Sequence, residues 1–235
     1  MNHRKAGRLR TAVGLLPLFV MVAGMTGCAP SRVEWRNASP QDEEQWRRQQ
    51  KLQFQPDCSV TLWGDSILNG GRDITQRSAD PPALILRRQR PRYAVEDNSV
   101  PGDRAHAREP QFLRLSFRAR IVVLQYGVND AGNGHAYERA LRAMVAHAQA
   151  QGRAVVITGL SRVRGVLPGR DANDAIARRV ASDTGSTFAD WGAVRFDPAD
   201  MADSVHPGAP YAERLTAQLA LALDRVAPEC AAPGR

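Results

Sequence analysis

Arg120-Ile-Val-Val-Leu-Gln-Tyr126 (RIVVLQY) runs directly into Gly127-Val-Asn-Asp130, and this junction decides how the chain is read. The apolar residues are consecutive and do not alternate with polar ones, which suits a strand covered on both faces. Similar short runs stand at Ser59 to Trp63 (SVTLW), Tyr93 to Val95, Ala154 to Thr158 (AVVIT) and Ser186 to Ala189. Between and after them, Ala136 to Gln151 and Asp171 to Thr184 have helical composition, and Ala209 to Ala227 repeats apolar residues at helical spacing. Strands alternating with helices predict an α/β domain, a parallel sheet of about five strands with helices on both faces. Neither a repeat nor a second core interrupts residues 58–230, so they are read as one domain, followed by a tail at 231–235.

The composition agrees. With 43% hydrophobic and 24% charged residues in a chain of 235, disorder throughout and a polytopic membrane protein are both excluded. Arg4, Lys5, Arg8 and Arg10 precede an uncharged run, Thr11 to Gly24 (TAVGLLPLFVMVAG), of the length of a signal-peptide core. That run falls short of the roughly 18 apolar residues of a membrane span. Met25-Thr26-Gly27-Cys28 follows and resembles the bacterial lipobox, in which the cysteine is lipidated and becomes the new N-terminus. Residues 1–27 are therefore expected to be a lipoprotein signal peptide, with Cys28 the lipidation site and the membrane a partner through it. Each buried methylene of the acyl chains would add about 0.8 kcal/mol of anchoring. A plain secretory peptide cut nearby, with Cys28 incidental, is the alternative. Either way the mature chain is exported, expected in the cell envelope and facing the periplasm. Residues 28–57, polar and glutamine-rich, read as a tether with room for a short helix.

Export makes disulfides admissible. Cys58 precedes the first strand-like run and Cys230 ends the last helical stretch. In a parallel α/β sheet the last helix runs antiparallel to the strands, so the two would meet at one edge, either bridged or as two buried thiols. A bridge closing about 170 residues would add several kcal/mol in the chain-entropy model.

Arginine and lysine total 32 against 24 acids, and without the four leader cations 28 remain, a net +4. Export disfavours a nucleic-acid partner and so small an excess carries no argument of its own, although Arg87-Arg88-Gln89-Arg90-Pro91-Arg92 could lie against anionic headgroups. With few histidines near the expected site and no carboxylate cluster at ligand spacing, neither a metal nor another cofactor is expected.

In open α/β sheets, chemistry gathers beyond the carboxyl ends of the strands. Gly64-Asp65-Ser66-Ile67, Asn98-Ser99-Val100-Pro101-Gly102, Gly127-Val128-Asn129-Asp130 and, before the last helix, Asp203-Ser204-Val205-His206-Pro207 occupy those places. A serine needs a base to take its proton and a third group to hold that base in the right tautomer. Ser66, His206 and Asp203 supply the three. The amides of Ser66 and Gly102 and the side chain of Asn129 are candidate donors to an oxyanion. Asp65 and Asp130 read as hydrogen-bonding residues that hold their loops. His135 reads as a pocket-rim residue beside Ala131 to Gly134, and His106 and His147 as surface or packing residues.

These four blocks, in this order, resemble the SGNH or GDSL hydrolase family, whose naming residues fall on Ser66, Gly102, Asn129 and His206. The resemblance covers about 150 residues from Val60 onward. It implies a flavodoxin-like α/β/α sandwich and metal-free hydrolysis of esters, thioesters or acetylated sugars. Low aromatic content, 6%, and the small residues 131–134 favour small acyl groups, with an acylated glycan or lipid as substrate. A lysophospholipase or acyl thioesterase for longer chains, or a non-catalytic glycan- or acyl-binding lipoprotein, are the alternatives.

Overall fold

The computed structural model divides into two compact units, Met1–Phe54 and Gln55–Arg235. It describes residues 57–231 and, in the first unit, Pro40, Gln41, Glu44 and Gln45, all helical and exposed. The leader, Cys28 and nearly all of the expected tether lie outside the described residues. Everything below concerns the second unit.

Five strands, β1 (Ser59–Gly64), β2 (Ala94–Asp97), β3 (Ile121–Gln125), β4 (Ala154–Thr158) and β5 (Thr187–Ala189), form one sheet in the order β2-β1-β3-β4-β5. Every pairing is parallel, with Val60 opposite both Val95 and Ile121, and Ile121 opposite Ala154. All five residues of β3 are buried, which explains why its sequence does not alternate. Each aliphatic side chain fully withdrawn from water there contributes about 1.5–3 kcal/mol.

Among the described residues, six α-helices surround the sheet: α1 (Ser66–Asn69), α2 (Pro82–Gln89), α3 (Ala105–Phe112), α4 (Gly134–Ala150), α5 (Arg170–Thr184) and α6 (Ala209–Val226). The step from β1 to β2 runs one way along the sheet, whereas the steps to β3, β4 and β5 run the other. Right-handed crossovers therefore put α2 on one face and α3, α4 and α5 on the opposite one. The packing agrees: α2 lies against α6, and α4 lies between α3 and α5. This is the three-layer α/β/α architecture, and the reversal between β1 and β3 opens a crevice at their carboxyl ends.

The helices α2 and α3 have no counterpart in the sequence reading. Pro81 and Pro82 introduce α2, and Pro110 interrupts the amide ladder of α3, so propensity speaks against α3. Burial overrides it, because Phe112 is fully buried and meets Trp63 edge-on at 5.3 Å and Phe117 at 5.0 Å. The basic stretch at 87–92 is largely consumed within the fold. Arg88 pairs with Glu213 and Asp80, Arg90 with Asp224, and Arg87 donates to the Val95 carbonyl.

At the amino-terminal ends of the strands, Cys58 and Cys230 are joined in a disulfide with Cα atoms 5.7 Å apart. Tyr93 donates to the Ala227 carbonyl at 3.3 Å, and Arg120 bonds Glu229. Last helix and first strand are thus tied at one corner.

Candidate active site

The turn after β1 is set by space. A Cβ on Gly64 would stand 2.6 Å from the Gln125 carbonyl oxygen and 2.7 Å from its Oε1, closer than real atoms approach, so glycine alone fits. Gln125 Oε1 accepts the amides of Asp65 (3.1 Å) and Leu68 (3.2 Å). Asp65 caps α1 by accepting the Ile67 amide at 2.9 Å. The outcome is a sharp strand-to-helix turn that presents Ser66, 6% exposed, at the head of α1.

Below it the carboxyl of Asp65 is fully buried, and Asp65 Oδ2 and Gln125 Nε2 have no hydrogen-bond partner among the described residues. Desolvation pushes the Asp65 pKa up to about 7, against the pull of the Ile67 amide and the Gln125 side chain and aided by the nearby Asp130 and Asp103.

On the other side of the crevice, Val100 to Asp103 make a turn closed by the Asp103 amide on the Val100 carbonyl at 3.1 Å. Pro101 and Gly102 are its central residues, and Gly102 has φ 76°, the left-handed value that the third position of a type II turn demands. Asn69 Nδ2 donates to the Ser99 carbonyl at 3.1 Å, pinning this loop to α1. Asn129 Nδ2 donates to the Asp103 carbonyl at 3.0 Å, so the two loops carrying the expected oxyanion donors are fastened to each other. Asp103 itself pairs with Arg108 at 2.6 Å.

The last loop turns on Asp203. Its Oδ1 accepts the amides of Val205 and His206, both at 2.7 Å, while Oδ2 lies 2.7 Å from His206 Nδ1. Burial alone would raise the Asp203 pKa, but the His206 and Val205 amides and the imidazole outweigh it and hold the carboxyl below its ordinary value. An ionised Asp203 accepts a hydrogen bond from Nδ1–H, which leaves Nε2 as an acceptor, and His206 Nε2 stands 2.9 Å from Ser66 Oγ. The array thus has the connectivity of a nucleophile, a base and the group that orients the base.

Ser66, Gly102, Asn129, Asp203 and His206, read from four separate stretches, therefore lie at one end of the sheet, and Cys58 and Cys230 at the other. Asp130 is buried and accepts the Ala105 amide at 3.1 Å, fixing the start of α3 as well as its own loop. His106 is half-buried, and its Nδ1 lies 3.0 Å from Asp130 Oδ1. His147 packs on Phe112 and Phe117, and His135 is exposed in the first turn of α4.

Two contributors escaped the sequence reading. Gln125 betrays itself only as the polar residue in an apolar run. Arg164 clamps the Asp203 loop through its amide on the Ser204 carbonyl (2.8 Å) and its guanidinium on the carbonyls of Pro198 and Met201 (both 2.9 Å), contacts that its sequence neighbourhood does not announce. Among the described residues no group of three or more His, Cys, Asp or Glu side chains is arranged to hold a metal ion.

A groove of about 400 Å³ opens beside His206. A larger cavity, about 610 Å³, lies at the opposite ends of the strands near Ser59 and Arg118 and takes no part in this site.

Known proteins share this fold. Residues 62–214 match the sequence model of the GDSL-like Lipase/Acylhydrolase family. Among solved structures, TesA is 21% identical with TM-score 0.59 over 72% of this chain and 99% of that one. A variant of Axe2, an acetyl-xylooligosaccharide esterase from Geobacillus, is 15% identical with TM-score 0.56 over 70% and 93%. The psychrotrophic esterase EstA from Pseudoalteromonas is 14% identical with TM-score 0.58 over 72% and 98%. At these identities the likeness is one of fold. No curated protein sequence matches the chain.

Proposed function

The chain belongs to the GDSL-like Lipase/Acylhydrolase family, and from that premise we propose that it hydrolyses carboxylic esters of small acyl groups, acetyl above all, by a Ser66–His206–Asp203 triad. The observation that carries this reading is the unbroken chain of contacts, 2.9 Å from Ser66 Oγ to His206 Nε2 and 2.7 Å from His206 Nδ1 to Asp203 Oδ2. Ser66 Oγ attacks the acyl carbon while its proton passes to His206 Nε2. The amides of Ser66 and Gly102 and the Asn129 side chain receive the oxyanion. His206 then gives its proton to the departing alcohol, leaving the acyl group on Ser66. Water attacks that ester with His206 again as base, and the proton returns to Ser66 Oγ as the acid departs.

The order of basic, apolar and small residues ahead of Cys28 supports a lipid-anchored protein of the cell envelope. Replacing Cys28 by Ala should move the protein from the membrane to the soluble fraction.

Hydrolysis of p-nitrophenyl esters from acetate to octanoate, beside Ser66→Ala, tests the chemistry. Activity highest on acetate, and lost at least about 10⁴-fold in the variant, is expected. Retained turnover in Ser66→Ala would overturn the triad. An optimum at octanoate would transfer the reading to a lysophospholipase or thioesterase.

A further inference from the structure

The groove beside His206 has a chemistry of its own. One wall is the segment after α1, with Gly70, Arg72, Gln76 and Ser78, and the other is the loop bearing Asp203 and His206. His206 lines it and none of Ser66, Gly102 and Asn129 does, so it adjoins the base and not the oxyanion donors. In the mechanism above, the alcohol receives its proton from His206 Nε2, and must therefore depart on the histidine's side. Resting on that ester-hydrolase reading, we propose that this groove is the leaving-group subsite and that it takes a hydroxyl-rich alcohol, a sugar unit, with Arg72 and Gln76 as its hydroxyl-binding side chains.

The wall is both hydrophilic and prebuilt. Arg77 locks the segment through Nε on the Asn69 carbonyl and Nη2 on Asp97, each at 2.8 Å. The Ser78 amide returns to the Gly70 carbonyl at 2.8 Å. Asp73 accepts the amides of Thr75 (2.8 Å) and Gln76 (3.1 Å), fixing the short turn between Arg72 and Arg77. By contrast, the guanidinium of Arg72 and the amide group of Gln76 make no hydrogen bond or ion pair with the described residues, and both residues are exposed. Two free polar ends on a rigid frame beside the proton donor suit a partner with several hydroxyls. An alkyl alcohol would displace their water and return nothing for it. The groove's volume falls within the range of small-molecule sites.

Acetyl esters that share the acyl group and differ in the alcohol isolate the effect: 6-O-acetyl methyl glucoside against hexyl acetate, in the full chain and in Arg72→Ala and Gln76→Ala. The sugar ester should be preferred at least tenfold in kcat/KM. Each variant should erode that ratio severalfold, mainly through KM for the sugar ester. No preference, or equal losses on both esters, would overturn the subsite. Titrating methyl glucoside into Ser66→Ala gives a readout independent of turnover, and binding weakened by adding Arg72→Ala is expected. Sugar binding without any hydrolysis would retain the subsite and sink the hydrolase, whereas hydrolysis of both esters without sugar preference or binding would do the reverse.

Discussion

The two ends of the sheet are built on opposite terms. At the amino-terminal ends of the strands, ties join distant parts of the chain: Cys58 with Cys230, Arg90 with Asp224, Arg120 with Glu229, Tyr93 with the Ala227 carbonyl, although Arg153 Nε there is buried without a hydrogen-bond partner among the described residues. At the carboxyl ends, matching is incomplete: among the described residues Asp65 Oδ2 and Gln125 Nε2 are buried without hydrogen-bond partners, a carboxyl with pKa about 7 lies under Ser66, and Gly102 sits at a positive φ. The contrast teaches that stability and chemistry are assigned to different ends of one sheet. Polar groups poised for a reaction cannot also be fully used to hold the fold.

The largest expected effect tests the matched end. Replacing Cys58 and Cys230 together by Ser should lower unfolding free energy by about 2–5 kcal/mol, read by denaturant melts, while kcat on p-nitrophenyl acetate stays within about twofold. A comparable fall in kcat would mean that the two ends are not independent. Next, at the unmatched end, Asn129→Ala should lower kcat about a hundredfold, near 2.7 kcal/mol, with a melting temperature shifted by only a few degrees. The reverse pattern, large destabilisation with little loss of rate, would make Asn129 a structural tie through Asp103 alone.

A third test sharpens the comparison through pH. Between pH 4 and 7 the folded chain keeps a proton on Asp65 that the unfolded chain, with the ordinary value 3.8, has released. Raising pH through that window therefore favours unfolding. The stability this group contributes is complete below about 3.8 and lost once pH passes about 7. Asp203 has the opposite sign, but its lowered pKa confines its effect to more acid solution. Melting temperatures of the wild type and Asp65→Asn should thus converge near pH 4 and part by pH 8, with the variant higher. Parallel curves would show that Asp65 is ionised throughout.

What could be read from the chain is what is local. Apolar runs such as RIVVLQY announce strands because their burial on two faces leaves no alternation, and the loops after them carry Ser66, Gly102, Asn129 and His206 in short contiguous blocks. The hidden part depends on distant partners. Gln125 acts on Asp65 and Leu68 some sixty positions away, and Arg164 acts on carbonyls near position 200. The helix α3 goes unannounced because its helical state is imposed by the burial of Phe112, against the local preference of Pro110.

The disulfide has one more consequence. Because Cys58 and Cys230 are 172 positions apart, the whole domain between them is topologically a ring, with both chain ends leaving it from one junction. A protease that nicks an exposed loop, for example at Val166, which is 92% exposed, opens the ring without dividing it. The nicked enzyme remains a single covalent molecule until a reductant separates its two pieces.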